Sequence, residues 1–112
     1  MAIHDLAKKE TPHGTVTVVW RGRQDQTHVS YQEEAEHAVK LKKAGYRGIK
    51  FRAWRTKPMD HVDEAGVVRD AVEPDFAIMF DRTADWAGWV WDLETAVKVC
   101  RSMEKHDVLW IE

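Results

Sequence analysis

The sequence predicts an α/β domain in which parallel strands alternate with helices. Short β-branched or apolar runs recur along the chain, helical stretches with one apolar stripe separate them, and residues 76–80 are apolar throughout. Strands joined through helices of this length form right-handed crossovers and pair in parallel. A strand that is apolar at every position is expected to be buried on both faces, as the strands of parallel sheets are.

The predicted order is strand–helix three times, followed by a last strand. A β-branched run after Gly14 gives the first strand. Ser30 and Glu33 form a capping box that begins the first helix, and Gly45 fits its end. Asp92 is placed to cap the third helix. The predicted strands span about residues 15–20, 48–54, 76–81 and 108–112, and the second helix spans residues 61–72.

Length and composition agree with one domain of this kind. The chain has 112 residues, of which 32% are charged and 44% hydrophobic, with a net charge of −2. This balance predicts neither a nucleic-acid nor a membrane-surface partner. No apolar run approaches the roughly 18 residues of a membrane span, and the first residues lack a signal-peptide core. The single cysteine, Cys100, is predicted to be a small buried thiol, and we expect a cytoplasmic protein.

Two architectures accommodate this order of elements. One is an open doubly wound sheet. The other is (βα)₃β, the first half of a TIM-type barrel, because a complete eight-stranded barrel needs roughly 200–250 residues. In both architectures ligands bind at the carboxyl ends of the strands, so the side chains at those ends are the candidates for function.

Acidic, basic and aromatic side chains stand at these strand ends. Asp81 and Glu112 end neighbouring strands, where two carboxylates can hold one Mg²⁺, or where each can be an ordinary acid paired with a nearby cation. Lys50 and Arg52 share one face of their strand, where they either face the carboxylates or are solvated. Facing the carboxylates, both could hold a substrate carboxylate, and Lys50 is also a candidate catalytic base. Further candidates for binding an anionic substrate are Trp20, Arg21, Trp54, Arg82 and Trp86.

The predicted strands and the charged residues at their ends, in their order and spacing, resemble the enolase superfamily, in its mandelate racemase/muconate lactonising enzyme branch. The stretch Gly-Tyr-Arg-Gly-Ile-Lys-Phe-Arg at 45–52 is similar to that branch's second barrel strand. Residues 76–81, ending in Asp81, are similar to the third strand, and Val-Leu-Trp-Ile-Glu at 108–112 is similar to the start of the fourth. Residues 1–14 are predicted to be a remnant of the linker or capping-domain helix, and 15–112 a partial barrel.

The resemblance implies a site and a reaction. Asp81 and Glu112 would be Mg²⁺ ligands in an enzyme that abstracts a proton next to a carboxylate. Lys50 would contact the substrate or the enolate, and Arg52 would hold the substrate, because a guanidinium stays protonated and is a poor base. The arginine-rich edge favours an acid sugar as the small-molecule carboxylate substrate, and its dehydration by a carbon–oxygen lyase.

The resemblance also implies that these residues lack part of the family's active site. The family's third metal ligand and its base come from later strands, so we expect these 112 residues to be an inactive fragment of a homo-oligomeric parent. An open parallel edge is expected to promote self-association. Three other interpretations stay open: a racemase or epimerase of the same superfamily, a half barrel that dimerises into a complete one, and a small non-enzymatic module that binds an anion.

Overall fold

A computed structural model describes residues 6–11, 14–19, 29–82 and 90–112 of the chain, with the main chain alone in the first two ranges. The elements in chain order are β1 (Leu6–Thr11), β2 (Gly14–Val19), α1 (Tyr31–Lys43), β3 (Gly48–Arg52), α2 (Asp60–Val72), β4 (Ala77–Asp81), α3 (Leu93–Glu104) and β5 (Val108–Ile111). Strands β3, β4 and β5 are neighbours in that order and pair in parallel. The predicted α/β class is therefore confirmed.

The amino-terminal segment differs from the prediction. The predicted helix remnant at 1–14 was wrong over its described residues, because β1 is a strand that pairs antiparallel with β2 along its full length. Strand pairing overrides the helical preference of alanine, leucine and lysine, since intrinsic propensity is a weak prior. The predicted first strand exists as β2, but within the described part of the chain its hydrogen-bonded partner is β1 and not the parallel sheet.

Capping side chains mark the starts of α1 and α3, and a glycine follows the end of α1. Ser30 Oγ accepts a hydrogen bond of 3.0 Å from the Glu33 N–H at the start of α1. Asp92 accepts one of 2.8 Å from the Thr95 N–H at the start of α3. Gly45 follows α1 with a φ of +95°, a conformation that glycine adopts without steric cost. All three predicted signals are confirmed, and no helix in the described ranges is long and apolar enough to cross a membrane.

Two local predictions were wrong. The strand predicted at 48–54 ends at Arg52; the Ala53 N–H still donates to the Asp81 carbonyl of β4, but the chain then leaves the sheet and the Arg55 N–H donates to the His61 side chain. Cys100 is exposed and not buried. Val99 and Met103 lie four residues apart on the face of α3 that packs on the core, and Cys100 lies about 100° further round the helix.

The parallel sheet has two faces with different neighbours. One face packs on the helices and forms the hydrophobic core. The buried side chains of that core include Ile49, Phe51, Ile78 and Phe80 from the strands and Ala38, Val62, Ala65, Val68, Val99 and Met103 from the helices. Because side chains alternate along a strand, the opposite face carries Lys50 and Arg52 from β3 and Met79 and Asp81 from β4.

An irregularity in β5 sets the position of its last residues. Ile78 lies opposite Val108, but the next residue, Met79, lies opposite Trp110, so Leu109 is an extra residue in the pairing. Leu109 and Trp110 both pack against Met79, whereas Val108 and the residue after Trp110 pack on the helix side of the sheet. This β-bulge brings the chain after β5 level with the end of β4.

Candidate metal and substrate site

Lys50, Asp81 and Glu112 meet at the carboxyl edge of the parallel sheet. Lys50 Nζ lies 3.0 Å from Glu112 Oε1 and 3.6 Å from Asp81 Oδ2. The lysine lies two residues before the end of β3, and its long side chain reaches the level of the two acids. The three charged groups predicted from the strand ends are therefore in contact, and each acid is paired with a cation.

Main-chain pairing holds the two acids in place. The Ala53 N–H donates to the Asp81 carbonyl at 2.8 Å, and the Glu112 N–H donates to the Phe80 carbonyl at 2.9 Å. The indole N–H of Trp110 donates to Glu112 Oε1 at 3.1 Å, so this oxygen accepts from two side chains. The side chains of Lys50 and Asp81 are 10% and 13% exposed, whereas Glu112 is 41% exposed. Partial burial strengthens these electrostatic contacts relative to those on an open surface.

The donor chemistry of this edge fits a hard divalent cation. Carboxylate oxygens are the ligands that Mg²⁺ uses most in proteins, and the position of the Lys50 ammonium shows that the space beside Asp81 and Glu112 attracts positive charge. Within the described residues no group of three or more His, Cys, Asp or Glu side chains could hold a metal. This part of the chain therefore offers two protein ligands, and Mg²⁺ commonly completes its shell with waters and substrate oxygens.

Of the other residues predicted to bind substrate, three lie in the described part of the chain and three lie outside it. Arg52 stacks on Trp54, with the guanidinium carbon 4.5 Å from the ring centroid, and Trp54 itself is buried. Arg82 donates to the Ala53 carbonyl and lies 4.8 Å from the ring centroid of Trp91, and burial lowers the pKa of its guanidinium. The predicted candidates that lie outside the described residues are Trp20, Arg21 and Trp86.

A buried polar cluster, Arg55–His61–Glu64, was missed by the sequence analysis. His61 Nε2 accepts the Arg55 main-chain N–H at 3.0 Å, so the imidazole proton is on Nδ1, which lies 2.8 Å from Glu64 Oε1. Glu64 Oε2 accepts from Arg55 Nη2 at 2.9 Å and from Nε at 3.3 Å. The spacing of three residues puts His61 and Glu64 on one face of α2, but nothing in the sequence indicates that Arg55 completes the cluster.

This cluster fixes the segment that follows β3. His61 and Glu64 are fully buried, and Arg55 is 8% exposed. The Arg55 guanidinium also lies 4.7 Å from the ring centroid of Tyr31, at the start of α1. Burial, followed by the nearby charge of Asp60, raises the pKa of the Tyr31 hydroxyl. Because α1, α2 and the segment after β3 all contribute, the cluster anchors the chain at Arg55, the residue after Trp54.

Three comparisons with known proteins concern the family and the fold of this chain. The sequence model of a family described as enolase C-terminal domain-like matches residues 31–112. The L-talarate/galactarate dehydratase of Salmonella typhimurium (strain LT2) is 28% identical over 85 residues, which are 76% of this chain and 20% of the dehydratase. The chain thus spans about a fifth of the length of this relative.

A solved structure shares the fold. The crystal structure of a racemase from Streptomyces coelicolor A3(2) with bound magnesium is similar with a TM-score of 0.63 and 21% sequence identity. The similarity covers 77% of this chain and 23% of the racemase chain. It confirms the predicted fold class, parallel β/α units that form part of a barrel.

Proposed function

Since this chain belongs to the enolase C-terminal domain-like family, in its mandelate racemase/muconate lactonising enzyme branch, we propose that it forms part of the barrel of a Mg²⁺-dependent acid-sugar dehydratase. The reaction removes the proton from the carbon next to the substrate carboxylate, and a hydroxyl then leaves the neighbouring carbon as water. The observation that carries the proposal is the convergence of Asp81 and Glu112, from neighbouring strands, on Lys50. The 28% identity to a dehydratase supports water loss as the outcome.

Asp81 and Glu112 are the residues of this chain that would hold the magnesium. When bound, the ion supplies positive charge that stabilises the negative charge developing on the substrate carboxylate as the proton leaves. The two acids reach one edge of the sheet from the ends of adjacent strands, and their main chains are fixed by the pairing of β3, β4 and β5. Fixed ligands of this kind need little reorganisation during the reaction.

Lys50 and Arg52 would bind the anionic substrate. Alternation along β3 puts both side chains on the face that carries Asp81, where two cations would be available to a substrate carboxylate. Arg52 stays protonated at any physiological pH and therefore binds rather than accepts a proton. Its stacking on Trp54 fixes the plane of the guanidinium, which favours bidentate contact with a carboxylate.

The proton acceptor and the third metal ligand would come from other parts of the enzyme. These residues span about a fifth of the related dehydratase. Two metal ligands without a positioned base cannot supply all the transition-state stabilisation that the reaction needs, so this segment alone would be inactive.

An assay of the complete protein containing these residues tests the proposal. With Mg²⁺ and a panel of acid sugars, mass spectrometry should detect a product lighter by one water. Asp81→Asn should lower kcat/KM by at least about 100-fold, because it removes a ligand charge. Asp75→Asn is the matched control, since that acid is exposed and pairs with Lys42 away from the site, and it should change kcat/KM by less than about twofold.

Other results would contradict the proposal and point to the alternatives. Inversion of a carbon without loss of water would indicate a racemase or epimerase. Binding of an acid that is unchanged by EDTA and by Asp81→Asn would indicate an anion-binding module. Mg²⁺-dependent stabilisation of a dimer made of this segment alone would indicate a half barrel that assembles into a complete one.

A further inference from the structure

We propose that Lys50 is an internal competitor for the metal, whose ammonium pairs with Asp81 and Glu112 and withdraws from them when a divalent cation binds. This inference rests on the proposed metal site and concerns what sets its affinity. It assigns to Lys50 a second role, distinct from contact with the substrate.

The contacts of Lys50 carry the inference. Its ammonium lies 3.0 Å from Glu112 Oε1 and 3.6 Å from Asp81 Oδ2, so one ammonium forms ion pairs with both acids. A magnesium ion sits about 2.0–2.1 Å from its oxygen ligands. An ion bound to both carboxylates therefore occupies space beside the ammonium, and the two cations repel each other strongly at this separation.

The charges of the site point the same way. Two carboxylates carry two negative charges, and the Lys50 ammonium cancels one of them. The side chains of Lys50 and Asp81 are only 10% and 13% exposed, so solvent screens their interaction less than it screens a surface pair. Removal of the lysine charge should therefore strengthen the attraction for a divalent cation, provided that the acids keep their positions.

The acids are held by contacts that do not involve Lys50. The Trp110 indole N–H donates to Glu112 Oε1 at 3.1 Å. The main chain of Glu112 pairs with Phe80, and that of Asp81 pairs with Ala53. Loss of the lysine charge therefore leaves the main chain of both acids and the Trp110 contact to Glu112 in place, which makes the proposal testable by substitution.

The competition has a functional consequence. While the ammonium contacts both acids, it cannot contact a substrate carboxylate equally well. Once a divalent cation takes its place, the ammonium becomes available to a substrate on the same face of the sheet. Metal binding would thus prepare the substrate site as well as complete it.

Metal titrations of the complete chain test this inference, with Mn²⁺ or Mg²⁺ alone as the probe and without substrate. Mn²⁺ binding is followed by electron paramagnetic resonance and Mg²⁺ binding by calorimetry, at one pH and one ionic strength. Lys50→Met and Lys50→Gln should each bind the ion at least about tenfold more tightly than the wild type. Lys42→Met is the matched control, because Lys42 also pairs with an acid, Asp75 at 2.8 Å, but away from the site; its affinity should equal that of the wild type.

The outcomes separate this inference from the proposed function. Equal or weaker binding by the folded Lys50 variants, with binding still abolished by Asp81→Asn, would overturn the competition and leave the metal site intact. Binding that does not depend on Asp81 in any variant would overturn the metal site and the competition with it. Circular dichroism identifies which variants are folded.

A measurement on the wild type removes any dependence on the folding of the variants. The ammonium protons of Lys50 are observable by ¹H–¹⁵N NMR while the group is held in an ion pair. Saturating Mg²⁺ should shift this signal or broaden it through exchange with water, while the Lys42 signal stays unchanged. A Lys50 signal that is unaffected at saturation would overturn the inference.

Discussion

Replacing Glu64 with glutamine tests the buried cluster of Arg55, His61 and Glu64. The carboxylate accepts from His61 with Oε1 and from Arg55 with Oε2. A glutamine of the same size has one oxygen, so it can accept from only one of these donors and turns its own N–H₂ towards the other. The guanidinium of Arg55, which is 8% exposed, then loses its counter-charge inside the protein.

The expected loss is large. A hydrogen bond to a charged group contributes about 1.5–3 kcal/mol, and a buried donor left without an acceptor costs about 1–3 kcal/mol. Together these effects should lower the free energy of unfolding by about 3–5 kcal/mol, the range for breaking a buried ion pair by removal of one partner. This is a substantial part of the roughly 5–15 kcal/mol that stabilises a typical domain.

Urea denaturation followed by circular dichroism at neutral pH measures this loss. Glu73→Gln is the matched control, because that side chain is 76% exposed and lies 3.7 Å from Lys42; its effect should be within about 0.5 kcal/mol. The double variant Arg55→Met with Glu64→Met should be more stable than Glu64→Gln alone, since it removes both charges together. A Glu64→Gln protein within about 1 kcal/mol of the wild type would refute the reasoning.

Three further predictions concern α2 and the turn before β5. Arg69→Met should lower the urea unfolding free energy by about 2–4 kcal/mol, because the Arg69 guanidinium donates to four main-chain carbonyls, and an unchanged value would contradict this role. Gly66→Ala should stabilise the fold by less than the roughly 1 kcal/mol that alanine gains over glycine in a helix, since a Cβ there would lie 2.9 Å from the His106 ring and displace it; combining it with His106→Ala should restore the gain, and the full gain in the single variant would contradict the contact. Burial lowers the pKa of His106 in the folded chain, so the unfolded chain binds the proton more readily and stability should fall as the pH drops below about 6.5. The urea midpoint measured from pH 7.5 to 5.5 should change less in His106→Gln, and an equal slope in both proteins would contradict the assignment.

The parallel sheet and the candidate site could be predicted from the sequence for a simple reason. Strands joined through helices all point one way, so their carboxyl ends meet at one edge whatever the details of packing. Asp81, Glu112 and Lys50 were predicted from this rule and are found in contact. The starts of α1 and α3 were equally predictable, because a capping side chain acts within three residues of its own position, whereas α2 begins without a side-chain cap.

Features that depend on pairing across the chain could not be predicted in the same way. The β-branched residues of β2 indicate a strand but not its partner. Regular alternation would put Val108 on the face of Trp110 and Glu112, whereas Val108 packs with the helices. The cluster around Glu64 depends on where the chain turns after β3, which no local pattern specifies.

The extra residue in β5 has a consequence for anyone who wishes to transplant this strand into another barrel. Leu109 shifts the alternation of side chains between the two faces of the sheet by one residue. Val108, before it, packs with the helix layer; after it, Trp110 and Glu112 lie on the face that carries Asp81, while Ile111 packs with the helices again. A graft that regularises the strand while keeping its length would therefore direct Glu112 away from Asp81.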